Sequence, residues 1–228
     1  DDGVFRIVSV GRISPSKGYE TLIDAVEILM KQGRKLQVKV IGGPGTPEQK
    51  DYLRTLVRGV KERGLEGMIE FAGSVPNKDM PSHLAEADLF VHMGLTGSLD
   101  KAVLEAMATG LLVLTCNEAF GDVLGKYHEL LMYPKRDARA LAEKIVRIAH
   151  LTGEERREAA EDLRAIVERD HGEEHLIPRI LGKLAENAEP DVAERYNELV
   201  KERYGGEYEH RRWFASPVLR AGYDMTRI

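Results

Sequence analysis

The loop "VGRISPSKGYETL" (residues 10–22) places two cations, Arg12 and Lys17, among Gly, Ser and Pro, directly after a β-branched run. An arginine fork gives bidentate hydrogen bonds to a phosphate, and a lysine ammonium adds a compact charge. Gly18 then opens a helical pattern whose first amides carry partial positive charge. Together these suit a diphosphate. The competing reading is a solvated loop that happens to be basic. The loop has neither the G-x-G-x-x-G of dinucleotide binders nor the G-x-x-x-x-G-K-[ST] of P-loops.

A second candidate is "GSLDKAVLEAMATG" (97–110), a turn that runs into a helix. Ser98 is the expected N-cap, Val103, Leu104, Met107 and Ala108 form the apolar face, and Gly110 stops the helix. Glu105 lies among them, about two turns in. A carboxylate beside an apolar face costs free energy unless hydrogen bonds reach it, and sugar or ribose hydroxyls are suitable donors. A solvent-facing or loop-capping glutamate is the ordinary alternative. The "GGPG" cluster (42–45) reads mainly as a turn. At Gly73 the backbone is free to approach a flat ligand such as a base.

Four other features carry less. "HGEEH" (171–175) fits the H-x-x-E-H zinc pattern, but it lies in a charged segment with no third ligand in view. His83 reads as a polar surface residue. His92 ends a buried-type strand on the ligand edge, where a pocket role and a core role compete. Cys116 has no evident base partner and reads as a small core residue.

The elements that must position these residues follow from periodicity. Strand patterns occur at 5–10, 36–43, 68–73, 88–93 and 111–116; helical patterns at 18–33, 47–63, 80–87, 99–109, 137–150 and 153–169. Such alternation predicts βαβ units and an α/β, Rossmann-like parallel sheet flanked by helices, with ligands at the carboxyl ends of the strands. This domain is expected to span residues 1–186. Residues 187–228 change character, with a helix-like stretch at 190–204, a Gly205-Gly206 break and an aromatic-basic end containing Trp213. They read as an extension or as a linker to another domain.

Composition narrows the function classes. Across 228 residues, 43% apolar and 31% charged content fits a soluble globular chain. A net charge of −5 argues against nucleic-acid binding while leaving room for a local cationic pocket. No apolar run approaches the roughly 20 residues of a membrane-spanning helix. The single cysteine forms no internal disulfide, which points to the cytoplasm, its inner membrane face included.

"VGRISPSKGYETLIDA", "IEFAGSVP", "ADLFVH" and "LEAMATG", in this order and spacing, resemble the C-terminal domain of glycosyltransferase family 4. The resemblance covers roughly residues 4–185 and implies the donor half of a GT-B fold, in a generally retaining enzyme that uses nucleotide-diphosphate sugars. It implies that Arg12 and Lys17 are the catalytic cations that neutralise the donor diphosphate, without metal or further cofactor. Glu105 matches the second acid of the E-x7-E motif, which binds the ribose. Gly73, Ser74 and Val75 match the stretch that holds the base. Ser98, Leu99, Asp100 and Lys101 match the loop facing the donor sugar and phosphate, and Gly11 belongs to the donor site. Where the family has its first acid this chain has Gly97, and Asp100 is a conceivable substitute. The implied partner is an N-terminal acceptor-binding domain, without which the chain is expected to bind donor but not turn over. Two alternatives stand beside this reading: half of a GT-B sugar-nucleotide epimerase, and a non-catalytic binding module.

Overall fold

The computed structural model describes residues 3–172. Five strands, β1 (Phe5–Val10), β2 (Leu36–Ile41), β3 (Ile69–Gly73), β4 (Leu89–His92) and β5 (Val113–Thr115), form one sheet in the order β3-β2-β1-β4-β5. Every pairing is parallel. The helices are α1 (Tyr19–Lys31), α2 (Pro47–Glu62), α3 (Met80–Ala85), α4 (Lys101–Ala108), α5 (Gly121–Leu124), α6 (His128–Leu131), α7 (Ala138–Ala149) and α8 (Gly153–His171).

The strand runs are apolar because both faces of a parallel sheet are covered. Ile7, Val8, Leu89, Phe90 and Val91 are buried, each contributing about 1.5–3 kcal/mol relative to exposure. α1 packs on α7, and α4 packs on α8. Right-handed crossovers and the reversal of strand order between β1 and β4 put these two helical layers on opposite faces. α8 is the most polar helix, and it is fixed at its start by a capping box between Thr152 and Glu155.

The expected α/β parallel sheet is therefore present. The expected strand 36–43 ends at Ile41, because Gly42 adopts φ 140°, a conformation that favours glycine. A Cβ at Gly42 would lie 1.9 Å from the Gly11 carbonyl oxygen. Close approach of the β1 and β2 loops thus requires glycine there. One expectation is corrected: α4 is capped by Asp100, not Ser98, with its Oδ1 accepting from the Ala102 amide at 3.2 Å. The reason is local. Both residue types can cap, but residues 96–99 form an exposed loop and Asp100 is the one with extended backbone at the helix start. Glu105 consequently lies one turn into the helix instead of two. Residues 117–136, unassigned from the sequence, hold short helical turns and a parallel bridge from Met132 to Thr115. The readings of residues 187–228, Trp213 and most of "HGEEH" lie outside the described residues.

Candidate functional site at the carboxyl edge

The loops after β1 and β4 flank the point where strand order reverses, which opens a crevice at the carboxyl edge of such sheets. They are tied together: the Leu95 amide donates to the Ser16 carbonyl at 3.0 Å. The β1 loop is also tied to the β2 loop, since the Gly11 amide donates to Ile41 and the Ile13 amide to Gly43. Tyr19 of α1 closes the turn, its hydroxyl donating to the Gly11 carbonyl at 3.1 Å. Burial, then the charge of Asp100, pushes the Tyr19 phenol pKa up, so the phenol stays a donor.

Two of the predicted residues meet here. Lys17, in a short helical turn before α1, forms an ion pair with Asp100 Oδ2. The two side chains are 21% and 17% exposed, so the pair is partly shielded yet open to a ligand. Asp100 Oδ2 also lies 3.3 Å from His92 Nε2. Burial pushes the Asp100 pKa up, but hydrogen bonds from His92 and Lys17 and the Lys17 charge outweigh it and hold the carboxyl well below its ordinary range. Asp100 is therefore ionised at neutral pH, and the site contains a cation with its own counter-ion.

The other predicted residues lie on the loops after β1, β3 and β4 and on α4. Arg12 is exposed, has no ion-pair partner among the described residues, and lies across Gly45. Glu105 is 14% exposed and 3.6 Å from Lys101 on the same helix, so one lysine partly offsets its charge. Ser98 and Leu99 are exposed, and the Ser98 carbonyl accepts from Asn117 Nδ2 at 2.7 Å. Gly73 ends β3, its carbonyl accepting from Gly42 at 2.8 Å. Ser74 stands beside Gly43, where an added Cβ would lie 2.6 Å from Ser74 Oγ. Gly97 has open space around its Cα.

Some participants were not anticipated. Thr115 ends β5, and Asn117, two residues on, caps the next turn by accepting from the Ala119 amide. Tyr133 donates to the His92 carbonyl at 3.1 Å. The available signal was a polar pair closing an apolar strand on the ligand edge. His92 is buried at 3% exposure and belongs to this cluster. Cys116 is buried, and burial raises its thiol pKa, which keeps it in the unreactive form. His83 differs from its surface expectation: it is half-buried, and its Nδ1 has no hydrogen-bond partner among the described residues. It lines a groove of about 660 Å³ against β1–β3, with Arg6, Gln37, Lys39, Glu66 and Glu70. None of the predicted site residues borders that groove.

Known proteins share this arrangement of strands. Among solved structures, sucrose-phosphate synthase from Thermosynechococcus elongatus aligns with a TM-score of 0.69 at 23% identity, over 80% of this chain and 45% of that one. Anabaena Alr3699/HepE, solved in complex with UDP and glucose, aligns with a TM-score of 0.65 at 23% identity, over 73% and 44%. At that identity these likenesses show the fold. In sequence, the putative colanic acid biosynthesis glycosyltransferase WcaL of Escherichia coli K12 is 29% identical over 187 residues, which is 78% of this chain and 44% of that protein. Mannosylfructose-phosphate synthase of Agrobacterium fabrum is 33% identical over 106 residues, 46% of this chain and 23% of the relative. The chain thus spans less than half the length of these relatives. The family model for glycosyl transferases group 1 matches residues 4–150, the whole of the described sheet included, and the chain belongs to that family.

Proposed function

We propose that this chain is the donor-binding domain of a retaining glycosyltransferase, holding a nucleotide-diphosphate sugar for transfer to an acceptor bound by a further domain. The observation that carries the reading is the convergence of Lys17 and Asp100, from the loops after β1 and β4, on the carboxyl edge where strand order reverses. A diphosphate there meets Lys17 and Arg12, whose charges stabilise the negative charge that develops on the leaving nucleotide. The reaction breaks the bond between the anomeric carbon and the β-phosphate oxygen, so stabilising that oxygen lowers the barrier directly. Two protein cations supply the charge, and the mechanism needs no metal ion or other cofactor.

Glu105 accepts from the ribose hydroxyls, Gly73, Ser74 and Val75 hold the base, and residues 98–101 face the sugar and phosphate. Gly11 lets the backbone approach the donor. The UDP and glucose bound by Anabaena Alr3699/HepE support a sugar nucleotide as the ligand class, and WcaL supports glycan assembly as the setting. A cytoplasmic enzyme, drawing on the soluble donor pool, suits the single free cysteine. With Gly97 in place of an acid, a non-catalytic donor-binding module is the second reading, distinguished by normal donor binding without transfer in the full-length protein.

The test is NMR mapping with UDP, ADP and GDP. Amide shifts are expected at residues 11–18, 73–75 and 98–105. Shifts confined to the groove around Lys39, Glu66 and His83 would sink the assignment.

A further inference from the structure

β4 and β5 pair in parallel with His92 directly opposite Thr115. In-register neighbours project side chains from the same face of a sheet, and His92 Nδ1 lies 2.9 Å from Thr115 Oγ1. Thr115 Oγ1 already accepts from the Asn117 amide at 3.1 Å. Its proton is left free to donate, and His92 Nδ1 is the acceptor within reach. With a single ring proton, His92 therefore carries it on Nε2, aimed at Asp100 Oδ2 at 3.3 Å. The opposite tautomer would set a bare nitrogen lone pair against an ionised carboxylate.

The same Oδ2 receives Lys17, while Oδ1 accepts from the Ala102 amide at the start of α4. Donation thus runs from Thr115 to His92 to Asp100 on one side and from Lys17 to Asp100 on the other, and the carboxylate accepts from both. Gly94 leaves room for the ring: a Cβ there would lie 2.4 Å from His92 Nε2. Phe120 meets the ring edge-on at a centroid distance of 6.4 Å, and the Tyr133 hydroxyl holds the His92 carbonyl.

We propose that His92 is a positioning residue: its Nε2–H orients the Asp100 carboxylate, and Asp100 in turn holds the Lys17 ammonium at the phosphate position of the donor site. The inference rests on the donor-site reading above for its ligand, but not for the hydrogen-bond order. A lysine held this way gives up less side-chain freedom on binding than a free one. With the Asp100 carboxylate held by His92 and the Ala102 amide besides Lys17, the diphosphate takes the ammonium without dragging an acid into contact.

Two measurements on the 228-residue chain decide the matter. Histidine 15N shifts, assigned by loss of one signal set in H92Q, report the tautomer directly, and the proton is expected on Nε2. A predominant Nδ1–H form overturns the proposal whatever the ligand binds. The second measurement compares UDP, ADP and GDP with their nucleosides. H92L is expected to weaken diphosphate binding about threefold to tenfold, the effect of one displaced hydrogen-bond partner, with nucleoside binding unchanged. H92Q, whose amide N–H reaches the same position, is expected to stay within about twofold of the parent. A merely structural histidine would lower both ligand classes together, and that result overturns the proposal too. If H92L does not fold, T115V serves in its place in the binding comparison: it removes the donor to Nδ1, a loss confined to the diphosphates is expected, and equal losses for both ligand classes overturn the proposal. If no nucleotide binds, the donor-site reading fails while the tautomer measurement still stands.

Discussion

Replacing Lys17 by alanine separates the phosphate from the rest of the ligand. The Lys17 side chain is about one-fifth exposed and paired with Asp100, so it sits neither in bulk water nor in a dry interior. Two unit charges 4 Å apart interact by about 4 kcal/mol at an effective dielectric constant near 20. That is a ceiling, because Asp100 competes for the same ammonium before a ligand arrives. A hydrogen bond to a charged group contributes about 1.5–3 kcal/mol net, which predicts a roughly tenfold to hundredfold loss of nucleoside-diphosphate affinity in K17A. Part of the loss arises because the variant leaves Asp100 as an uncompensated carboxylate near the phosphates. K17A/D100N removes that repulsion, and the double variant is expected to recover a fraction of the lost affinity. Calorimetric titration of K17A with each diphosphate and its nucleoside is the assay. The nucleoside constants should move by less than about twofold, since they contain no group for the ammonium to meet. Equal losses for both ligand classes would refute the placement of the diphosphate at Lys17.

Other outcomes follow from the same geometry. Gly42→Ala combines a left-handed backbone penalty with a collision against the Gly11 carbonyl, and chemical denaturation should show about 2–5 kcal/mol of lost stability. Asp100 has a folded pKa below its unfolded one, so its stabilising contribution is complete above about pH 4 and fades as pH falls through the folded value. The difference in thermal midpoint between the parent and D100N should therefore be constant from pH 7 to pH 5 and shrink on acidification to about pH 3; a gap that widens there contradicts the sign. Cys116, buried with a raised thiol pKa, should resist alkylation in native buffer and react only in denaturant, which mass spectrometry will record.

The sheet was legible because each parallel strand carries an apolar run long enough to stand out, and because β2 and β3 close on glycines. Gly11 and Gly73 mark the ligand edge in the sequence as well as in space. The interior of the site was less legible. That His92 meets Thr115 depends on the register of β4 against β5, and register is a tertiary property that spacing along one chain does not carry. The cap of α4 was misplaced by two residues because Ser98 and Asp100 share the same chemistry, and the fold selects between them. Residues 117–136 lack a period altogether: their short turns are held by Asn117, by the Met132 bridge and by contacts to β5. Arg12, Lys17 and Glu105 were identifiable as charged residues in unusual settings, but the counter-ion role of Asp100 became visible only in three dimensions.

The central claim is that the carboxyl edge of this sheet receives a nucleotide diphosphate. Isothermal calorimetry of the 228-residue chain with UDP, ADP, GDP and their glucose conjugates tests it most directly. The account predicts that at least one pair binds with a dissociation constant below about 1 mM, and that its affinity falls in K17A. Absence of binding by every member, in a chain shown to be folded, would contradict it.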